Sequence, residues 1–245
     1  MPVITAQDLD YKESIKLVNT VVTNQYAIMK IFRRIKKGYS PLVLIVGSQR
    51  IGKSFIGIWL CSLYMNMMNK NFCPELHTFY DPMLAIERLG GRDREPILID
   101  EAGAILTRRE WYKKTHQALD KIIQTQAYKT MLYIFISPFA SDIDKTFQKH
   151  FDFLFRVDDR GRFKAFQIMK KYDEFNSEKA TSRIFLDDVQ LNLCHVPPSI
   201  WKRYLVYSVS KKEDMRITSL KESKHINKDN FEDNPFMRLK KRMIF

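Results

Sequence analysis

Apolar residues recur at Ile15, Val18, Val22, Tyr26, Met29, Phe32 and Ile35, a helical spacing that predicts one helix from Asp10 to Lys37. Lys30, Arg33, Arg34, Lys36 and Lys37 crowd its C-terminal end, where cations suit the helix dipole, and Gly38 with Ser40-Pro41 ends it. The basic face reads equally as a solvated exterior or as a contact for DNA or a subunit. The period then changes. Pro41 to Val46 is a continuous apolar run, as a strand buried on both faces requires, and Lys53 to Lys70 reads as helix. Leu76 to Tyr80 reads as a second strand and Pro82 to Leu89 as a short helix. After Gly90-Gly91-Arg92-Asp93-Arg94 comes a third strand, Ile97 to Asp100, and then a helix from Trp111 to Lys129. Met131 to Ser137 is a fourth strand, Ser141 to Lys149 a helix and Phe151 to Val157 a fifth strand. Strands alternating with helices predict an α/β fold, a mostly parallel sheet covered on both sides.

The alternation stops at Asp158-Asp159-Arg160-Gly161, a polar turn followed by the apolar Phe163 to Ile168 stretch, which predicts an antiparallel hairpin at one edge of the sheet. Beyond Tyr172 the pattern weakens. Pro197-Pro198-Ser199 introduces a helix to about Lys212, and the charge-rich remainder, ending in Leu239-Lys240-Lys241-Arg242-Met243, predicts a flexible basic tail. The implied organisation is an N-terminal helical region at 1–40, a core at 41–171, a helical extension at 172–213 and a tail at 214–245. The longest apolar run, Phe55 to Met68, is interrupted by Ser62 and Asn66 and is shorter than the roughly 20 residues of a membrane span, so it reads as a buried helix. The opening MPVITAQDLDYKES has no charged-then-apolar leader pattern. Cys61, Cys73 and Cys194 show no paired spacing, so a reducing, cytoplasmic setting is expected.

Candidate chemistry begins where the first strand ends. Gly47, Ser48, Gln49, Arg50, Ile51, Gly52, Lys53 and Ser54 fit G-x-x-x-x-G-K-[ST] between a buried strand and a helix. Glycines there let backbone N–H groups approach phosphates, and the helix N-terminus favours their charge. Lys53 is expected at the β- and γ-phosphates, Ser54 at Mg²⁺, and Phe55 completes the stretch assigned to the nucleotide. The third strand ends in Asp100-Glu101. Asp100 is the expected magnesium partner. Glu101 beside it is expected to position and polarise an attacking water, which favours hydrolysis of ATP over transfer to another acceptor, as in a nucleoside or small-molecule kinase. Arg108, Arg109 and Arg156 are candidates for the positive charge that phosphoryl transfer needs, and Ser137 for a polar sensor of the γ-phosphate.

These stretches together, with Tyr133 to Asp144 leading into FDFLFRV and a hairpin, resemble the HerA and FtsK branch of P-loop ATPases over roughly Pro41 to Lys171. That branch includes hexameric DNA pumps, conjugation ATPases, genome-packaging ATPases of archaeal viruses and Zot-like proteins of filamentous phages. The resemblance implies a three-layer P-loop NTPase of the additional-strand, catalytic-glutamate class. It also implies assembly into a homo-oligomeric ring such as a hexamer, ATP sites at subunit interfaces, and DNA moved through a basic channel. One position departs from the branch: where its fourth strand often ends in Thr-Gln, this chain has Ser137-Pro138, which leaves Gln124 or Gln126 on the preceding helix to substitute, or Ser137 itself to serve through water.

The net charge of +13 and pI near 9.6 add an object for the work. A polyanion is implied, with nucleic acid, and duplex DNA in particular, first and an anionic membrane surface second; membrane contact is not the expectation. Trp111-Tyr112-Lys113-Lys114 and Trp201-Lys202-Arg203-Tyr204 suit either contact with nucleic acid or half-buried packing with the lysines in solvent. An ATP-dependent switch or assembly factor, acting in replication initiation, helicase loading or virion morphogenesis, uses the same motifs.

Overall fold

The apolar run LVLIV forms β1 (Leu42–Val46), every residue of it buried. Val43 and Ile45 enter one hydrophobic core and Leu42, Leu44 and Val46 another, on the opposite face of the sheet. Two cores around one strand are what a sheet with cover on both faces requires. The computed structural model describes residues 25–89, 92–102, 121, 129–143, 145–172, 178–192 and 195–232. Along the chain α1 (Tyr26–Lys36) precedes β1, which is followed by α2 (Lys53–Met67), α3 (Pro74–His77), β2 (Thr78–Phe79), α4 (Pro82–Leu89) and β3 (Pro96–Ile99). Then come β4 (Leu132–Ser137), a short 3₁₀ turn (Ala140–Asp142), α5 (Lys145–Gln148), β5 (Phe153–Asp159), β6 (Arg162–Tyr172), β7 (Glu178–Gln190) and α6 (Pro198–Glu232).

The seven strands make one sheet in the order β2-β3-β4-β1-β5-β6-β7. The first five in that order are parallel, and β6 and β7 add an antiparallel hairpin edge. β4 lies between β1 and β3, so the strand that leads into the glycine loop and the strand that ends in the acidic pair are not neighbours. Both instead deliver their C-terminal ends to the same edge, with Val46 level with Ser137 and Ile99 level with Phe135.

The helix α2 lies against the sheet at Gly57, where an added Cβ would meet Leu98 Cδ1 at 2.9 Å and Ile136 Cδ1 at 3.0 Å. Its Trp59 and Tyr64 are fully buried, and the Tyr64 hydroxyl donates to the Thr130 carbonyl. The apolar stripe of α1, Ala27, Ile28, Ile31, Phe32 and Ile35, enters the same core as α2. Of its basic residues, Lys30 donates to Gln167 at 2.6 Å and Arg34 pairs with Asp152 at 2.9 Å. Arg33, Lys36 and Lys37 are exposed.

Several elements depart from the sequence expectation. Leu76 and His77 belong not to a strand but to α3, which Pro74 opens at a first-turn position where its missing N–H costs nothing. The predicted helix Ser141 to Lys149 is two short pieces, and the strand after it runs two residues later than expected, as Phe153–Asp159. Residues 178–190, placed in a helical extension, are a strand, β7, joined to β6 by a ladder from Arg162↔Gln190 to Tyr172↔Glu178. The tail expected to be flexible from 214 is helical through Glu232. No glycine or proline lies between Pro198 and Pro235, so nothing in the chain terminates that helix early. The pairs Lys211–Asp214 and Glu213–Arg216 lie one turn apart along it. The expected helix residues 10–24, Arg108, Arg109, the Trp111 to Lys114 cluster, Gln124 and Gln126 lie outside the described residues. The chain divides into two compact units, Met1–Tyr204 and Leu205–Phe245. No helix among the described residues is long and apolar enough to cross a membrane.

Candidate nucleotide-binding site

β1 ends at Gly47, whose N–H donates to the Pro138 carbonyl at 3.2 Å. A Cβ at Gly47 would lie 2.8 Å from the Val157 carbonyl oxygen and 3.1 Å from Val157 Cβ, so only glycine fits between the loop and β5. The loop then enters the left-handed region at Arg50, φ 62°, and at Gly52, φ 96°. Backbone turned in this way makes a concavity of N–H groups that suits an anion, and α2 starts at its rim with Lys53. The Lys53 side chain folds back over the loop and its Nζ donates to the carbonyls of Gly47 and Ser48, each at 2.7 Å. A full positive charge is thereby held against the loop. Phe55 is buried, so its side chain takes no part in the mouth of the site and its backbone N–H is what it offers.

One residue into α2, Ser54 Oγ donates to Asp100 Oδ2 at 3.0 Å. The loop and the acid strand, expected from sequence to meet at a cation, do meet. A hydroxyl and a carboxylate are hard oxygen donors, the set that suits Mg²⁺, which keeps most of its waters and takes few protein ligands. The residues present therefore fit the cation that the motif implies. Asp100 is 1% exposed. A buried carboxylate must be hydrogen-bonded, and this one is: Oδ1 accepts the Glu101 N–H at 3.1 Å, and Oδ2 accepts a second hydroxyl, that of Tyr204, at 2.7 Å. Glu101 follows with φ 61°, a left-handed conformation that a residue with a Cβ adopts at a cost. Its half-buried side chain stands directly after Asp100 in the chain.

Tyr204 was not among the residues that the sequence marks for this site. It sits in the first turns of α6 and is 2% exposed. Burial, with the Asp100 charge adding to it, pushes its hydroxyl far above the ordinary tyrosine range, so it remains a proton donor. Tyr80 donates to the Tyr204 oxygen at 3.4 Å. Trp201 stacks on Tyr204 with centroids 5.1 Å apart and meets Phe55 edge-on at 5.2 Å. Arg203 forks onto Glu75 at 2.9 and 3.1 Å. Of the two readings open for Trp201-Lys202-Arg203-Tyr204, the packed one holds for the aromatics: they face the core, and only Lys202 and Arg203 are exposed. The available signal was the pair Ile200 and Tyr204, four apart on one helix face, which marks burial without naming the acid beneath.

Ser137 is at the expected strand end, level with Val46, but its hydroxyl is turned into the following turn, toward the Phe139 carbonyl at 3.0 Å and Asp142 Oδ2 at 3.2 Å. In this arrangement it holds the turn rather than facing a phosphate. Arg156 is level with Val46 on the other side of β1 and is bound to Asp158 at 3.1 Å. The β5–β6 turn also borders the site: Arg160 Cα and the Gly161 nitrogen would each be 3.9 Å from a Cβ at Gly52.

No protein-family model and no curated protein matches the chain. Among solved structures it is similar to RuvB of Thermotoga maritima, with TM-score 0.41 and 12% identity over 57% of this chain and 45% of that one. It is also similar to the N-terminal domain of zonular occludens toxin from Neisseria meningitidis, with TM-score 0.33 and 12% identity over 61% of this chain and 95% of that one. The chain thus spans less than half the length of that RuvB structure.

Proposed function

We propose that the chain is a magnesium-dependent ATPase of the additional-strand, catalytic-glutamate class that uses hydrolysis to move DNA, in genome packaging or DNA transfer, as a homo-oligomeric ring. The observation that carries the reading is the Ser54–Asp100 hydrogen bond at the rim of the glycine loop, with Glu101 next in the chain. Backbone N–H groups of 47–54 hold the phosphates and Lys53 supplies charge at the β- and γ-positions. Ser54 and Asp100 are the residues that would hold Mg²⁺, which would supply neutralisation of the charge that develops on the phosphates. Glu101 orients the attacking water and accepts its proton, the role that separates a hydrolase from a kinase. DNA as the object rests on the net charge of +13, and the ring on the sequence resemblance. Arg108 or Arg109 is the finger in this reading.

Glu101→Gln keeps the shape and removes the base. Turnover is expected to fall by about 10²- to 10⁴-fold with ATP affinity nearly unchanged, measured by phosphate release and by nucleotide titration. Undiminished turnover removes Glu101 from the mechanism. A second reading, an ATP-dependent switch, has its own support in the hydrogen bond from Tyr204 to Asp100, which links the first turns of α6 to the residues of the site. ATP-driven displacement of a bound triplex strand from duplex DNA separates the motor from the switch.

A further inference from the structure

We propose that Tyr204 is the positioning residue for the magnesium carboxylate, setting the orientation of Asp100 and through it that of the Ser54 hydroxyl. The proposal rests on the magnesium-ATP reading above. The two oxygens of a carboxylate offer about four acceptor positions. Three at Asp100 are occupied: Oδ2 by Ser54 Oγ and Tyr204 Oη, Oδ1 by the Glu101 N–H. The vacancy left is on Oδ1, and it limits how Asp100 meets a hydrated cation. Because the Ser54 proton points at Oδ2, the lone pairs of Ser54 Oγ face away from Asp100, which is the orientation a metal ligand needs.

Two features make Tyr204 a fixed support rather than a passing contact. Its ring is clamped by Trp201, which itself abuts Phe55 on the helix that carries Ser54. Its oxygen accepts from Tyr80, so its own proton is directed to Asp100. Tyr80, directly after β2, thus backs the hydroxyl of Tyr204, on α6, and Tyr204 alone of the two reaches the carboxylate that follows β3. Without the Tyr204 hydroxyl, Oδ2 keeps one donor and the carboxylate can turn away from Ser54.

The test uses the full-length chain with Tyr204→Phe, which retains the ring stack, and with Tyr80→Phe, which removes only the rear donor. Affinity for a fluorescent ATP analogue is measured in EDTA and across a magnesium titration, alongside turnover and thermal melting. For Tyr204→Phe the EDTA affinity is expected to be nearly unchanged. The half-saturating magnesium concentration is expected to rise by about 10- to 100-fold, the usual effect of removing a residue that orients a metal ligand. Tyr80→Phe is expected to shift it less and in the same direction. A folded Tyr204→Phe with unchanged or lowered magnesium demand overturns the proposal, since a residue that only packs moves the melt and not the metal dependence. If Tyr204→Phe does not fold, Tyr80→Phe decides by the same criterion. A wild-type chain that binds the analogue equally with and without magnesium refutes the metal site itself, and the role of Tyr204 falls with it.

Discussion

Gly47, at the start of the glycine loop, and Gly57, inside α2, exclude a side chain for different reasons. At Gly47 a Cβ would strike the Val157 carbonyl at 2.8 Å, an oxygen fixed in the sheet, so the loop must move. Gly47→Ala is expected to weaken nucleotide binding by about tenfold or more, as displacement of preorganised donors does, measured by nucleotide titration. At Gly57 the Cβ would meet the tips of Leu98 and Ile136, which can turn aside. Gly57→Ala is expected to cost about 1–2 kcal/mol in a denaturant melt with binding retained. The same contrast separates what could be read from what could not. Lys53, Ser54 and Asp100 announce themselves because phosphate and magnesium chemistry restricts both residue type and spacing. Tyr204 does not, because its partner is 104 residues away and a buried tyrosine in a helix has many uses.

At the scale of elements, β1, β3 and β4 were legible because burial on both faces leaves continuous apolar runs, whereas β2 is only two residues long and β5 carries exposed polar residues at its end. β7 was not legible. Its Ile184 and Phe185 are consecutive and both exposed, and the ladder to β6 shifts register between Ala165 and Phe166, so no alternation survives in EKATSRIFLDDVQ. β7 nevertheless matters to its neighbours. Asp187 Oδ2 accepts the Ala27 N–H in the first turn of α1 at 2.5 Å, serving as a cap supplied from another element. Asp187→Ala is expected to cost about 1 kcal/mol, the usual loss on removing a cap, read as a lowered melting temperature. A larger drop is expected for Gly161→Ala: φ there is 73° and a Cβ would lie 2.3 Å from the Leu191 carbonyl. The C-terminal helix was underestimated for a different reason. Charge density suggested solvated coil, whereas lysine and glutamate are good helix formers when no breaker intervenes.

For the molecule as a whole, many cations are already engaged locally. Arg34 with Asp152, Arg203 with Glu75 and Arg162 with Asp188 are ion pairs within the first unit. The excess of +13 is carried over and above such pairs, and α1 presents Arg33, Lys36 and Lys37 to solvent. If DNA is the object, stimulation of the ATPase by DNA is expected to decline steeply as salt rises, by orders of magnitude in affinity between about 50 and 200 mM. ATPase measured over a salt series, with native mass analysis of the assembled species, checks both the polyanion and the ring. The sheet also has a mechanical consequence. The turn at Arg160 and Gly161 borders the glycine loop, and from it β6 runs to Tyr172, with register shifts against β7 at Ala165/Phe166 and Lys171/Tyr172. At about 3.4 Å per residue that is a strand of roughly 35 Å, rooted beside the glycine loop, paired with β7 from Arg162 to Tyr172 and with β5 from Arg162 to Gln167. A tilt of a few degrees at the root displaces the far tip by a few ångströms, so the strand is placed to carry a change at the glycine loop out to Tyr172.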